Sequence, residues 1–171
     1  MAVDVLGASH LAGAGWEIQR TNNFEIAIEG VGDSERLLTL SVVSGALPSE
    51  HNSPIAIQYG NTTIQVAGTY TIDSGSLVVR DFIQKDVEQL IEAWRSTVYN
   101  KDTDAVGFAS DYKKQARITQ FAPDGTHERV WKIEGVWPSD VDYGSVDQTS
   151  NGLKQINITL QYDKARLVRD V

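Results

Sequence analysis

The feature that most limits the fold is the stretch KQINITLQY at residues 154–162, in which apolar and polar side chains alternate. A period of two residues is typical of a β-strand with one face in a core. The other face is uncharged and rich in amides, whereas a solvent-facing strand usually mixes Lys and Glu. This row is either an ordinary solvated face or a surface that must be hydrophilic without fixed charge. It consists of Gln155, Asn157, Thr159 and Gln161.

Further strands are predicted where similar alternation recurs between turn residues. They cover residues 23–30, 36–43, 75–81, 112–121 and 128–136. The first two would form a short antiparallel pair. Residues 84–99 form the one predicted helix, because their apolar residues repeat at helical spacing on one face. That stripe contains Val87, Leu90, Ile91, Trp94 and Val98.

These elements predict a mostly β (α+β) protein, an antiparallel β-sandwich or barrel with one packed α-helix. The whole chain, 1–171, is expected to form one domain. Residues 1–22 are interpreted as an N-terminal arm and 163–171 as a C-terminal tail. Residues 44–68 are interpreted as a projecting hairpin loop, because Gly60-Asn61 suits a two-residue turn between strands at 55–59 and 63–67.

The charge balance argues against tight binding of nucleic acid, since the formal net charge is −8 and such binding needs clustered Lys and Arg. The absence of cysteine excludes disulfides and thiolate metal sites. No stretch approaches the roughly 20 apolar residues of a membrane span, and the N-terminus lacks the basic segment of a secretory signal peptide. We therefore expect no cofactor and no membrane partner.

Two patterns suggest hydrolase chemistry. The first, Gly32-Asp33-Ser34 with a distant Asp124-Gly125-Thr126-His127, resembles the blocks of Gly-Asp-Ser esterases and would use Ser34 and His127. Both segments look like ordinary turns, and neither the helices of a hydrolase core nor a Gly-rich oxyanion block is present. The second pattern is an acidic cluster after Trp-Pro that could hydrolyse glycosides, although nothing nearby guarantees a raised carboxyl pKa. It contains Asp140, Asp142 and Asp147.

A calcium loop is the third alternative, because Asn100, Asp102, Asp104 and Asp111 fall at EF-hand-like positions after the helix. The sixth position is Ala105, where an EF-hand requires Gly for its sharp turn. The last position is Asp rather than the bidentate Glu, and a strand is predicted to follow instead of a helix. A solvated acidic loop is the preferred interpretation, and no metal or catalytic site is predicted.

Several segments of the second half of the chain occur together in one known family. They are Tyr112-Lys113-Lys114, a turn at 120–125, the block IEGVWP at 133–138, and an alternating strand ending in Gln161-Tyr162-Asp163. The run from 112 to 163 resembles the tail tube proteins of contractile-tailed bacteriophages. The first half is similar through its opening strand and Ala46-Leu47-Pro48 before the hairpin. The C-terminal tail and the loop at 101–110 depart from the pattern.

This resemblance implies a structural virion protein whose hexameric rings stack into the inner tube of a contractile tail. The strands of six subunits would pool into one barrel, and double-stranded DNA would pass through without specific binding. The expected partners are further copies of the chain, the sheath protein, the tape-measure protein, the baseplate and the tail terminator. The protein would be assembled in the host cytoplasm. The alternative is the tube of a headless injection device, such as a pyocin-like, extracellular or type VI particle.

The resemblance also implies roles for particular residues. The amide row would line the lumen, and Leu90, Ile91 and Trp94 of the helix would pack behind it. Trp131, Trp137 and Pro138 would mark the end of a strand of the wall and an interface, with the acidic loop after them at a ring edge or on the outer surface. The candidates for ring stacking are Ile55, Ile57, Tyr59, Asn61 and Ile64.

Overall fold

The structure, a computed structural model, describes residues 19–31, 35–149 and 151–168. Eleven strands and three helices occur in these residues. The strands are β1 (Phe24–Glu29), β2 (Val42–Gly45), β3 (Glu50–Tyr59), β4 (Thr62–Ile72), β5 (Gly75–Arg80), β6 (Tyr99–Asn100), β7 (Ala105–Val106), β8 (Lys114–Phe121), β9 (His127–Asp142), β10 (Gln155–Gln161) and β11 (Lys164–Val168). The helices are α1 (Glu35–Ser41), α2 (Val87–Val98) and α3 (Ala109–Tyr112).

Seven strands form an antiparallel sheet in the order β1-β8-β9-β10-β5-β2, with β11 also paired to β9. The long strand β9 belongs to two parts of this sheet. Its first part pairs with β8 and β11, whereas residues 137–142 pair with β10. We call residues 137–142 together with β10, β5 and β2 the amide sheet, and β1, β8, the first part of β9 and β11 the opposite sheet. Both sheets contribute to one buried core, which confirms the predicted mostly β antiparallel class.

The change of sheet occurs at Gly135, whose φ is +73°. The register of β9 against β8 shifts there, so that Ile133 and Val136, three residues apart, are both buried. Asp163 contacts β9 next to this position, because its backbone N–H donates a hydrogen bond to the Glu134 carbonyl at 2.9 Å. A β-bulge bends its strand in this way, and here it directs β9 from one sheet to the other.

Helix α2 follows from its sequence. The Asp86 carboxylate caps its first turn by accepting a hydrogen bond from the Gln89 N–H at 2.8 Å. Val87, Ile91, Trp94 and Val98 are buried at helical spacing. Ile91 and Trp94 belong to the same core cluster as the apolar face of β10, which is the arrangement expected from the alternation in that strand.

The strand predicted at 36–43 is wrong, because most of this segment is helix α1. Leu38 and Ser41 are buried and Leu40 is 68% exposed, which is helical spacing. The expected antiparallel pair is wrong as well: β1 pairs with β8, and the short strand β2 pairs with β5. In a segment this short, an alternation of leucines fits either structure, and packing against β1 favours the helix.

The prediction that Trp137-Pro138 ends a strand is also wrong, since β9 continues to Asp142. Pro138 lies at the second irregularity of β9, where it pairs with Leu160 while Asp140 pairs with Thr159. A proline without an N–H is tolerated at a bulge and on an edge strand, and β9 is an edge strand at this point. Proline therefore identifies an irregular position rather than the end of the strand.

Two segments without predicted strands contain regular structure. The loop at 100–110 includes β7, which pairs with β6, and the start of α3, so that the strand predicted from 112 begins at Lys114. Lys164–Val168, within the segment interpreted as a C-terminal tail, forms β11 on β9. The first 18 residues of the N-terminal arm lie outside the described residues.

Candidate assembly surfaces

The outer face of the amide sheet contains the uncharged row identified in the sequence. In β10, Ile156 and Ile158 are buried, and the alternating residues Gln155 and Asn157 are exposed. Further along the strand, the polar positions are half-buried. One side of the strand therefore builds the core, and the other presents amide and hydroxyl groups along its length.

Paired neighbours show what surrounds this row, because directly opposed residues of antiparallel strands share a face. Asn157 stands between Val78 on β5 and Asp142 on β9. Thr159 stands between Ser76 and Asp140. The two aspartates thus border the row on the outer face of the amide sheet, and the sequence-based interpretation that they belong to an acidic loop is wrong.

The rest of the acidic cluster is dispersed. Asp147 lies in the loop after β9, where its carboxylate accepts hydrogen bonds from the N–H and hydroxyl of Thr149 at 2.9 and 2.8 Å. These bonds lower the pKa of Asp147. At the far end of the amide row, Gln155 is paired with Arg80 of β5, which places a cation beside the row. The outer face of the amide sheet therefore carries both signs of charge. Asp140 and Asp142 lie on the β9 side of the row, and Arg80 lies on the β5 side.

The hairpin of β3 and β4 is the second surface. It forms a two-stranded sheet of its own, and β3 is exposed along its whole length. We call Glu50–Ile72 the ribbon. In the half of the ribbon next to the turn, Ile55 pairs with Val66 and Ile57 pairs with Ile64, so these four side chains share one face. Their exposed fractions lie between 40% and 53%, and the exposed fraction of Tyr59 on the same face is 74%. A contiguous apolar face of this kind usually marks an interaction surface.

The composition of the ribbon supports the same conclusion. From Asn52 to Ile72 the sequence contains no Asp, Glu, Lys or Arg. Exposed surfaces of soluble proteins normally carry many charges, because charges favour solubility. The predicted hairpin and its Gly60-Asn61 turn are present, with Gly60 at φ +60°, and the strands extend further than the sequence indicated.

The sheets also present free edges. Within the described ranges, β2 pairs only with β5, β1 only with β8, and residues 137–142 of β9 only with β10. Unpaired edges offer rows of N–H and C=O groups to another strand and promote association unless they are covered.

Helix α2 is bound to the start of β10 by charged groups. The Lys154 ammonium contacts Glu88 on the helix and lies 3.3 Å from the Asp81 carboxylate. Hydrogen bonding to Glu88 is the main cause of the raised pKa of Lys154. Glu92 accepts hydrogen bonds from Lys101, at 2.6 Å, and from the Tyr143 hydroxyl. Burial, together with the Glu92 contact, raises the pKa of Tyr143.

The contacts of Glu92 predict an acid-sensitive part of the stability. Lys101 and then Tyr143 lower the pKa of this carboxyl in the folded state. A lowered folded-state pKa contributes stability above the ordinary carboxyl pKa, and this contribution is lost as the pH falls through the folded-state value. We expect the melting temperature of Glu92→Gln to fall less steeply than that of the unaltered protein as the pH is lowered from about 5 to about 2. Glu25→Gln, which removes the same charge at an exposed strand position, is the control for the loss of one carboxylate.

The alternatives to a structural role gain no support from the described residues. No group of three or more His, Asp or Glu side chains within 19–31, 35–149 and 151–168 is arranged to hold a metal ion. In the EF-hand-like loop, the Asn100 side chain accepts from the N–H groups of Asp102 and Thr103. Ser34 and the side chain of His127 lie outside what the structure describes. None of the described helices has the length and apolar character needed to cross a membrane.

The two partly buried tryptophans of β9 pack within their own chain. Trp137 makes an edge-to-face contact with Tyr112, with ring centroids 5.7 Å apart. The Tyr112 carbonyl accepts a hydrogen bond from the Trp94 indole at 3.0 Å. Trp131 packs against the core cluster. These rings connect α2, α3 and β9.

Comparison with known sequences identifies the family of this chain. The sequence model of the T4-like virus tail tube protein gp19 family matches residues 20–166. The chain belongs to this family. The tail tube protein gp19 of Enterobacteria phage T4 is 28% identical over 150 residues, which cover 86% of this chain and 90% of gp19.

Solved structures share the fold of this tail tube protein. A chain of the PVC sheath-tube complex, from an extracellular contractile injection system in its extended state, superposes with a TM-score of 0.70 at 18% identity, covering 97% of this chain and 100% of that one. The SPP1 tail tube gives a TM-score of 0.57 at 9% identity over 90% of this chain and 81% of its own. Membership of the tail tube family makes the protein a structural component of the phage tail rather than an enzyme.

Proposed function

We propose that this tail tube protein assembles into hexameric rings that stack into the hollow inner tube of a contractile tail, and that the amide sheet forms the wall of the lumen. The observation that carries this proposal is the outer face of that sheet, which presents the amide row, in a sheet whose two edges are unpaired in the described residues. Closing these edges from copy to copy would give a continuous barrel without exposed edges. A heterologous contact repeated around a rotation axis gives such a ring.

The chemistry of the proposed lumen suits the passage of double-stranded DNA. Amide and hydroxyl groups form hydrogen bonds without fixing a phosphate in place, whereas clustered cations would hold it. Asp140 and Asp142 border the row and outnumber the one cation beside it, Arg80, and all three residues would repeat in every subunit of a ring. Their net negative charge would keep phosphates away over about one Debye length, about 10 Å at 0.1 M salt. A wall of this kind conducts its cargo without binding it.

The proposed partners follow from the place of a tube in a contractile tail. The fold is shared with the chain of a PVC sheath-tube complex, which supports a sheath protein around the tube. It is also shared with a chain of an AFP baseplate structure, at a TM-score of 0.64 and 11% identity, which supports a baseplate contact. A terminator at the other end and a tape-measure protein inside the tube complete the proposed set. Family membership and the T4 relative favour a phage tail over a headless device.

Substitution in the amide row tests the lumen assignment. Asn157 is exposed at the centre of the proposed wall, so Asn157→Lys should leave folding and ring formation intact while adding a cation per subunit. Because cations retain phosphates, we expect ejection of the genome to slow and infectivity to fall by at least about tenfold. Asn157→Gln keeps the amide and is the matched control. Normal infectivity of the lysine variant would show that this face does not line the lumen.

Electron microscopy of the purified protein tests the assembly itself. Rings or hollow rods with sixfold symmetry are the expected result, since an exposed apolar ribbon and free sheet edges both favour association. Sedimentation of the same sample gives the mass of the smallest stable species. A protein that stays monomeric at every concentration, with and without a preformed tail baseplate as a seed, would contradict the proposal.

A further inference from the structure

A row of like charges crosses the opposite sheet on the face that points away from the core. Arg117 of β8 is paired with Lys132 of β9, and Lys132 is paired in turn with Arg166 of β11. All three side chains are exposed. Directly opposed like charges destabilise a sheet, because the paired side chains share one face at short distance. A chain with a net charge of −8 therefore holds three cations side by side in an unfavourable arrangement.

The acidic residues nearby leave two of these three cations uncompensated. Arg117 has the Glu29 carboxylate at 4.0 Å, and the next acidic residue on β9, Glu134, is paired with Lys164. Neither of the other two cations of the row forms an ion pair within residues 19–31, 35–149 and 151–168. This face is therefore acidic toward β1, which also carries Glu25, and basic toward β11.

Strand β11 is a free edge of this sheet, since it pairs only with β9 in the part of the chain that the structure describes. Lysine on an edge strand can prevent association between edges. That role does not account for Arg117 and Lys132, because both lie on inner strands. On the opposite side of β11, Leu167 is paired with Trp131 and is 44% exposed. The edge thus offers main-chain N–H and C=O groups, an uncovered apolar side chain and a basic face.

The proposed ring would leave this edge open. The amide sheet and the opposite sheet contain four strands each, and sheets packed face to face lie about 10 Å apart. Around six subunits, the outer circle would be longer than the inner circle by about 60 Å, or about 10 Å per subunit. Adjacent strands are about 4.8 Å apart, so four strands that close the inner circle would leave a gap of about two strands in the outer circle. This gap would lie between β11 of one copy and β1 of the next.

We propose that β11 accepts an acidic extended segment of a protein outside the tube as an added strand. The inference rests on the proposed function, which turns this face away from the lumen, and deepens it by assigning a contact surface and the chemistry of its partner. The added strand forms hydrogen bonds with the free edge of β11 and covers Leu167. Its carboxylates neutralise Lys132 and Arg166 and so relieve the repulsion within the row. The sheath protein encloses the tube in the proposed tail and is the expected donor of the segment.

Charge reversal tests the chemistry of the partner. Lys132→Glu combined with Arg166→Glu is compared with Lys85→Glu combined with Arg95→Glu, which changes the net charge equally in the turn before α2 and on α2. Tubes assembled from each protein are incubated with the sheath protein of the same tail at about 0.1 M salt, and the sheath protein that sediments with the tubes is measured. We expect the affinity to fall at least about tenfold in the first double variant and to stay within about twofold in the second.

Hydrogen exchange tests the added strand. A strand on the free edge would protect the β11 amides that point away from β9. Exchange in residues 164–168 should therefore slow by at least about tenfold when the sheath protein is bound. Residues 114–121 of β8 are paired on both sides and serve as the internal control, with unchanged exchange. Binding of the sheath protein without slower exchange in β11 would overturn the inference.

Thermal unfolding of the single chain tests whether the row is under repulsion. Lys132→Gln removes the middle cation and should raise the melting temperature by about 1–3 °C at low salt. The gain should disappear at about 1 M salt, where charges on a surface are screened over about 3 Å. A lower melting temperature at low salt would show that the row is compensated within the chain, and the argument for an anionic partner would fail.

The remaining outcomes separate this inference from the proposed function. Equal binding of the sheath protein by all tubes, or equal loss in the two double variants, would overturn the inference and leave the tube intact. Linear duplex DNA that binds unaltered tubes, but not tubes of the Lys132 and Arg166 double variant, would identify a phosphate-binding surface and overturn it too. Failure of the unaltered protein to form tubes would contradict the proposed function itself.

Discussion

Replacing Gly135 with valine is expected to destabilise the fold by about 2–4 kcal/mol, which is a large part of the stability of a single domain. The residue has a φ of +73°, a conformation that costs a β-branched residue most. An added Cβ would also lie 2.7 Å from the Asp163 Cγ. The Asp163 side chain is held in place, since the Lys113 ammonium donates to both of its oxygens at 2.9 and 2.7 Å.

The measurement is urea unfolding followed by tryptophan fluorescence. Gly125→Val is the matched control, because Gly125 has a φ of +84° and nothing lies within 4 Å of an added Cβ. It carries the backbone cost of about 1–2 kcal/mol without the overlap. An equal loss in both variants would show that the Asp163 contact adds nothing to the bend. A loss of cooperativity in the Gly135 variant alone would indicate that the two sheets no longer fold together.

The sequence predicted those strands in which apolar side chains alternate because one face of the strand is buried in the core. Ile156 and Ile158 repeat with period two and have no competing periodicity, so β10 and its buried side could be predicted. Helix α2 could be predicted for the same reason, at its own period. For α1 the sequence was ambiguous, since its leucines satisfy both periods over a few residues. Packing of the helix against β1 decides that segment, and a periodicity read over seven residues does not include that packing.

The flanks of the amide row could not be placed without the course of β9. Its alternation changes phase at Gly135 and again near Pro138, and each change depends on the strand paired beside it. A proline after a tryptophan looks like the end of a strand when the paired strand is unknown. Val141 between Asp140 and Asp142 was the one local indication that the strand continues, because acidic and apolar residues alternate there. The row itself was predicted, and its carboxylate border was missed.

Replacing Ile57 with aspartate is expected to abolish tube formation and leave the monomer folded. The side chain is 48% exposed in the single copy, so a carboxylate there remains hydrated until copies associate. Covering the ribbon would then bury an unpaired charge, which we expect to weaken each contact by at least about a hundredfold, or about 3 kcal/mol. In the proposed tube, every subunit would make one contact that covers its ribbon. The weakening of that contact would therefore recur at every subunit of every ring. Sedimentation and electron microscopy measure the loss, and circular dichroism verifies the fold.

The control for this substitution is Gln58→Asp, which introduces the same charge one residue away. Gln58 is paired with Thr63 on the polar face of the ribbon, and the charge there stays in water if only the apolar face is covered. Tubes should therefore form from the Gln58 variant and fail to form from the Ile57 variant at the same concentration. Normal tubes from the Ile57 variant would mean that the apolar face of the ribbon stays exposed in the tail. Burial between copies would then not explain the absence of charged residues from the ribbon. Failure of both variants would mean that the ribbon is enclosed on both faces, as in a strand pair inserted between two neighbouring copies.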